Sequence, residues 1–484
     1  MNREMRRTSV LIFAMFFSLL MAATLIQFVN ADSLMANGHN PRSLYDAYKT
    51  QRGSILADGK LLAWSVKTGD KYQYLREYDE PAFGALTGFY SLTQGTTGLE
   101  NSLDSYLTGK NSSQFFEQVN ALLSGNPLAG ASVNLTIDPK VQKVAYDAMG
   151  KLTGAVVAIS PSTGKILALV STPGFDANLL AVHNTTLSNY NYQRLVNQPN
   201  SPLINRAIGG DLYAPGSVFK IIVASAALES GKYKPSSMFP NPKKLLLPGT
   251  ATYIYNSGEG KCGSSKAKVS IADALRFSCN IPFAELGLAL GQQAIAAQAE
   301  KFGFGKSFNL PMASTPSQYP TGMDASQTAL SSFGQFNDKV SALQMAMVSA
   351  SIANGGVMMK PTLINSILSP NLSVLNSFGS SSLGQVVSTD TATKVKNMMV
   401  GAVSSGVSSN GRIPGVRVAG KTGTAQNGAG QPYTLWFTGF APAENPQVAV
   451  AVVIANGGGI GQRGFGNLLA APIAQKVMRA VLGK

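Results

Sequence analysis

Apolar residues concentrate first at the amino terminus, where Arg3, Arg6 and Arg7 precede an uncharged, strongly apolar run over residues 10–29. As a helix rising 1.5 Å per residue, that run covers about 30 Å, the depth of a bilayer's hydrocarbon core. Basic charge on the leading flank keeps that end in the cytoplasm, so the chain after Asn30 is expected on the far side of the membrane. A cleaved signal peptide is the rival reading, because Val29-Asn30-Ala31 loosely resembles a small-residue cleavage site; the length of the run favours an uncleaved anchor over residues 1–31. From 32 to 133 short apolar runs are broken by Gly, Asp, Asn and Ser, as in a small accessory domain without an obvious catalytic motif.

Near Asn134 the pattern changes. Asp138 before Pro139 reads as an N-cap and first helical position, leading a helix over 140–151. Two apolar, partly β-branched runs, 154–160 and 166–171, flank the turn composition of 161–165 and predict a hairpin. Three more strands are expected over 417–425, 434–440 and 448–455, the last unbroken in apolar residues and so buried, followed by a final helix over 471–482. Strands from both ends of 134–484 around a long helical middle predict an α+β domain with one antiparallel sheet covered by helices. The Ser/Gly-rich stretch 377–384 reads as a surface loop, and the Met-rich segment 345–359 as core packing rather than a site.

With 484 residues, 45% apolar and 13% charged, the chain has enough apolar surface for two globular domains. Its formal charge of +15 suits anionic lipid head groups or wall polymers, or serves solubility alone. No zinc-finger spacing and no basic run interleaved with aromatics accompany it, so nucleic acid is not an expected partner. Two cysteines, Cys262 and Cys279, and two distant histidines, His39 and His183, give no metal-ligand spacing, and no metal or cofactor is expected. Outside the cytoplasm the cysteines are free to form a disulfide; two buried thiols are the alternative.

Ser217 opens an Ala-rich apolar helix, where free backbone amides stabilise negative charge on a bound oxygen, and Lys220 follows on the same face. A lysine desolvated in an apolar pocket loses its proton readily enough to activate a serine. Alone, the pair reads more readily as an N-cap and a solvated first-turn residue, because Ser-x-x-Lys occurs often by chance. Ser278-Cys279-Asn280 after a helical run over 271–277, and Lys421-Thr422-Gly423-Thr424 in the strand from 417, change that balance.

The three segments, in this order, resemble the Ser-x-x-Lys, Ser-x-Asn and Lys-Thr-Gly signature of penicillin-binding proteins and related β-lactamases. Arg52-Gly53-Ser54-Ile55 with Asp58-Gly59 is similar to the opening motif of the class B, monofunctional members, although the Arg that usually follows the Asp is missing. Asn205-Arg206-Ala207, Tyr213-x-Pro215-Gly216-Ser217, Ala353-Asn354-Gly355-Gly356 and Trp436-Phe437-x-Gly439-Phe440-Ala441-Pro442 extend the resemblance over 52–480, nearest to the A type of that family. It implies the penicillin-binding transpeptidase fold, with an all-helical subregion, and a serine D,D-transpeptidase that cross-links peptidoglycan stem peptides and is acylated by β-lactams. Ser217 would be the nucleophile and Lys220 its base, with the amides of Ser217 and Thr424 as oxyanion hole. Ser278 would relay a proton to the leaving amine, and Asn280 would orient substrate and lysine. Lys421, Thr422 and Thr424 would meet the substrate carboxylate, while Gly423 admits an extended peptide along the strand.

A SEDS-type membrane glycosyltransferase and other wall-synthesis or division proteins are the implied partners at the inner membrane. The resemblance leaves open a β-lactamase or D,D-carboxypeptidase, in which water takes the acyl group, and a sensor or scaffold that keeps only the pocket. A Ser-His-Asp hydrolase is disfavoured, because no Gly-x-Ser-x-Gly elbow occurs and neither histidine has a catalytic context.

Overall fold

Every residue of the Val448–Ile454 strand is buried, and alternate positions serve two different cores. Val448, Val450, Val452 and Ile454 pack with Val141, Ala145, Ala470 and Val477. Ala449, Ala451 and Val453 join the cluster that holds Leu343, Met347 and Ile352. Successive side chains of a strand point to opposite faces, so a strand between two helical layers has no place for polar alternation.

In the computed structural model, which describes residues 3–30, 48–125, 128–263 and 266–484, this strand is central to a five-stranded sheet. The order is Ala419–Ala425, Thr434–Ala441, Val448–Ile454, Gly154–Ile159, Ile166–Thr172, antiparallel throughout. Helices Pro139–Met149 and Gly466–Val481 cover one face and Ala342–Ala353 packs on the other. Lys220–Glu229, Ile281–Leu290, Gln292–Lys301 and Thr389–Ser404 form the helical subregion beside it. The expected α+β layering is therefore the observed one, and the Met-rich segment is indeed core.

Local signals account for several element ends. Asp138 caps its helix, accepting from the N–H groups of Lys140 at 2.8 Å and Val141 at 3.1 Å. The last helix starts at Gly466 rather than at 471 and carries Pro472 inside it. A proline reads as a first-turn signal, but here the start is set by packing. A Cβ at Gly466 would lie 2.4 Å from the carbonyl oxygens of both Gly423 and Trp436, so only glycine lets this helix meet the sheet. The Ser/Gly-rich stretch is not loop throughout, because its exposed end pairs as the strand Ser382–Gln385 with Val357–Met359.

The boundary expected at 133/134 does not separate two sheets. The strand Ser132–Leu135 straddles it, pairing parallel with Ile55–Ala57 and antiparallel with Ile364–Leu368. The resulting six-stranded sheet runs Val374–Ser377, Ile364–Leu368, Ser132–Leu135, Ile55–Ala57, Lys60–Lys67, Tyr74–Tyr78, so both segments share it. A four-residue strand has two backbone edges to satisfy, and here the two partners come from opposite sides of the expected division.

Within the accessory segment Glu100 is fully buried, with Arg52 Nε at 2.5 Å and Arg76 Nε at 2.7 Å. Arg52 also reaches Asp104 at 2.6 Å. Burial alone would raise the Glu100 pKa, but the charges and hydrogen bonds of Arg76 and Arg52 outweigh it and hold the carboxyl below its ordinary value. Gly53 beside Arg52 touches the chain near the Ala131 carbonyl, where a Cβ would stand 2.0 Å away. These contacts give the Arg52-Gly53 motif a packing reason. At the amino terminus the helix Arg3–Thr24 continues as a π-turn, Leu25–Val29, and Arg3–Gln27 is long and apolar enough to cross a membrane. Ala31 of the alternative cleavage site, His39 and the start of the accessory domain lie outside the described residues.

Candidate active site

The turn Gly216–Val218 opens the Lys220–Glu229 helix and sets Ser217 and Lys220 on one face. Two glycines fix it. Gly216 has φ 53° and donates its N–H to the Gly334 carbonyl at 2.8 Å, and a Cβ on Gly334 would stand 1.9 Å from the Gly216 oxygen. Buried Trp436 donates from Nε1 to the Ala214 carbonyl at 2.9 Å, tying the approach to the turn onto the sheet.

Lys220 Nζ lies 2.9 Å from Ser217 Oγ, 2.8 Å from the Ser278 carbonyl oxygen and 2.9 Å from Asn280 Oδ1. Burial first, and then the neighbouring Lys421 cation, push its pKa well below the ordinary lysine value. A neutral amine has two N–H groups and one lone pair. The Ser278 carbonyl and the Asn280 oxygen only accept, so they take the two N–H groups, and the lone pair is left for the Ser217 hydroxyl. That partner set suits a base.

Lys421 is also fully buried, and burial pushes its pKa down to about 7. Its Nζ donates to Ser278 Oγ at 2.7 Å and to the Thr422 carbonyl at 2.8 Å. Of the two lysines, Lys421 meets the Ser278 hydroxyl and Lys220 its carbonyl. Ser278 has φ 60°, a left-handed conformation that few non-glycine residues adopt. It is held from outside by the Cys262–Cys279 disulfide and by a hairpin end. There Asn256 Oδ1 accepts from the backbone N–H of Asn280 at 2.9 Å and of Ile281 at 3.0 Å, and the Tyr255 carbonyl accepts from Asn280 Nδ2 at 3.0 Å.

The Ala419–Ala425 strand is outermost in its sheet. The Thr422 N–H goes to Ser408 Oγ at 3.0 Å instead of a neighbouring strand, and backbone groups alternate sides along a strand. The Thr424 amide, two residues on, therefore faces the same open edge. Thr424 is half-buried, with Oγ1 accepting from the Gly466 N–H at 3.3 Å, whereas the Thr422 hydroxyl is buried 3.1 Å from Ser408 Oγ. At Gly423 a Cβ would lie 2.8 Å from the Pro215 carbonyl, so glycine lets the serine turn lie against the strand.

Ser217, Lys220, Ser278, Asn280 and Lys421 thus share one hydrogen-bonded network, with Thr422, Gly423 and Thr424 continuing its strand. Asn256, Ser408 and Gly334, which support that network, carry no local sequence signal.

A family model of the penicillin-binding protein transpeptidase domain matches residues 154–479, and one of the penicillin-binding protein A dimerisation domain matches 52–133. The chain is 39% identical to the peptidoglycan D,D-transpeptidase PbpA of Mycobacterium tuberculosis, over 100% of this chain and 99% of that one. It is 28% identical to the peptidoglycan D,D-transpeptidase MrdA of Acinetobacter baumannii, over 75% of this chain and 57% of that one. Among solved structures, the ceftriaxone acyl-enzyme of M. tuberculosis penicillin-binding protein A superposes with a TM-score of 0.87 at 38% identity, covering 90% of this chain and all of that one. A D,D-transpeptidase domain from Eggerthella lenta gives 0.78 at 31% identity, covering 90% of this chain and 99% of that one. With most of its length matched in both sequence and fold, this chain belongs to the penicillin-binding protein transpeptidase family.

Proposed function

We propose that this chain is a membrane-anchored peptidoglycan D,D-transpeptidase that works through a Ser217 acyl-enzyme and is covalently inhibited by β-lactams. The observation that carries the reading is the partner set of Lys220, whose two N–H groups have acceptors and whose lone pair faces Ser217 Oγ at 2.9 Å. Ser217 Oγ bonds to the carbonyl carbon of the penultimate D-Ala while its proton passes to Lys220 Nζ. The amides of Ser217 and Thr424 meet the charge on the carbonyl oxygen. The C–N bond then breaks, and the departing D-Ala nitrogen takes the Ser278 proton, which Lys421 replaces. An amine from a neighbouring stem attacks the ester by the reverse path, its proton returning through Ser278 to Lys421 and that of Lys220 to Ser217. The substrate carboxylate is assigned to Thr424, to Lys421's positive field and to Thr422, whose hydroxyl would turn from its 3.5 Å contact with the Val407 carbonyl to donate while Ser408 donates to it. The stem peptide pairs along the open strand edge past Gly423.

The amino-terminal helix supports an anchor with its start in the cytoplasm and the catalytic domain outside, following its basic leading flank. A SEDS-type glycosyltransferase and other wall-synthesis or division proteins are the proposed partners there. Intact mass of the full-length chain after benzylpenicillin, beside a Ser217→Ala control, tests the assignment. A lasting adduct of the drug's mass, mapped to Ser217 and absent from the control, is expected. Drug hydrolysis without an adduct would replace the transpeptidase with a β-lactamase.

A further inference from the structure

An asparagine at the start of a helix ordinarily has an extended backbone and turns its side chain back to accept from the first-turn N–H groups. Asn280 holds that position before Ile281–Leu290, yet its backbone is helical, at φ −84° and ψ −49°, and its side chain makes no capping bond. The carboxamide points away instead, Oδ1 to Lys220 Nζ at 2.9 Å and Nδ2 to the Tyr255 carbonyl at 3.0 Å. The N–H groups of Asn280 and Ile281 are met by Asn256 Oδ1, from a hairpin whose strand Tyr253–Tyr255 pairs with Lys244–Leu246. Asn256 is only 3% exposed, and its Nδ2 donates to the Gly260 carbonyl at 3.2 Å. Carbonyls thus surround its nitrogen and amides its oxygen, which fixes the orientation of its amide.

We infer that Asn256 is a positioning residue for acyl transfer: it holds the Asn280 backbone in the helical conformation that aims its carboxamide at Lys220, and the adjacent Tyr255 carbonyl sets which end of that carboxamide faces the amine. Without Asn256, two N–H groups at the helix start lose their acceptor. Asn280 then gains by adopting the extended backbone in which its side chain caps the first turn at Phe283, Pro282 having no N–H to offer. That rotation takes Oδ1 off Lys220 and removes one of the two acceptors that direct the lone pair at Ser217. Small misplacements at a reacting centre cost about a hundredfold in rate.

The inference rests on reading Ser217 as the nucleophile, so wild-type acylation is measured first. The full-length chain, its Asn256→Ala and Asn280→Ala variants and the double variant are mixed with benzylpenicillin over a range of concentrations, and adduct formation is followed by intact mass. Asn256→Ala is expected to lower the limiting acylation rate at least about tenfold, yet to change it less than about threefold when Asn280 is already alanine, because residues that act through one another are not additive. Asn256→Ser, too short to reach the Asn280 and Ile281 N–H groups but able to donate toward the carbonyls that Asn256 Nδ2 meets, is the second variant and is expected to behave as Asn256→Ala does. Independent, multiplying losses from Asn256→Ala and Asn280→Ala, or Asn256→Ala at the wild-type rate, would overturn the inference. If the alanine variant does not fold, the serine variant takes its place in the cycle with Asn280→Ala, and multiplying losses there overturn the inference as well. A wild-type chain that takes up no drug would instead remove the serine reading itself.

Discussion

A lysine at its ordinary pKa of 10.5 leaves roughly one amine in a thousand neutral at pH 7.5, a handicap of about 4 kcal/mol for any step that needs the free base. The site reduces it by burying both amines. Burial takes Lys421 to about 7, and burial together with the Lys421 cation takes Lys220 well below 10.5. Acylation by penicillin should therefore follow a bell, climbing about tenfold per unit on an acid limb as Lys220 loses its proton and falling on an alkaline limb as Lys421 loses the one it passes to Ser278. The two amines titrate as a pair, so both limbs belong to the pair. Lys421→Met keeps the side-chain length and removes the charge, so Lys220 loses the positive neighbour that depresses it and the acid limb should move to higher pH. The maximum should fall too, because Ser278 loses its donor.

The folded amines have depressed pKa values, so between about 7 and 10.5 the unfolded chain binds more protons and stability rises with pH. In Lys421→Met that rise should be shallower. Second-order acylation constants from pH 5.5 to 9.5, with circular dichroism on the same samples, measure both effects. A wild-type acid limb above pH 9, or an acid limb that stays put or moves down in Lys421→Met, would refute the assignment of Lys220 as a base tuned by Lys421.

Glu100→Gln should lower stability by about 3–5 kcal/mol, the range for breaking a buried ion pair, while the folded fraction is still acylated at the wild-type rate. The Glu100 carboxylate stabilises above its ordinary value of 4.5 and less as pH falls through its lower folded value, so the variant should also lose part of the wild-type acid-unfolding limb; urea titrations at pH 7 and pH 4 read both. Gly334→Ala puts a methyl 1.9 Å from the Gly216 oxygen at φ 80°, so the Ser217 turn must shift and acylation should drop by about a hundredfold in intact-mass time courses. Cys262→Ser opens a loop of 17 residues and should cost roughly 3 kcal/mol in thermal melts. Wild type kept in reductant should melt like the variant, and a difference between them would mean that the bond is not what the substitution removes.

What the sequence disclosed about this site follows how far each contact reaches along the chain. Ser217 and Lys220 are three residues apart on one helical turn, so their pairing is local and their spacing alone suggests it. Ser278 with Asn280, and Lys421, gained meaning only as a signature, because nothing in the spacing says that a loop between two helices and an edge strand meet at Ser278, beside the Lys220 amine. The residues that make them converge were silent for the same reason. Asn256 acts on an amide 24 residues away and Ser408 on one 14 residues away, and each is an ordinary polar residue in its own neighbourhood. Gly334 looks like any turn glycine until the Gly216 carbonyl is placed against it.

The fold divides the same way. The Val448–Ile454 run showed a buried strand because burial on both faces erases alternation, but which helices cover each face is a tertiary fact. The sheet that crosses 133/134 and the late start expected for the last helix are the two places where a short-range signal pointed one way and a long-range contact prevailed. Ser132–Leu135 is pulled into a sheet by partners on both sides of it, and Gly466 opens its helix where only a residue without a Cβ can touch the catalytic strand. That second contact matters chemically, since the Gly466 N–H bonds Thr424 Oγ1 on the edge where the substrate carboxylate is proposed to sit. The helix start is therefore set by the strand that bears the site, and a reading of helix signals alone has no access to it.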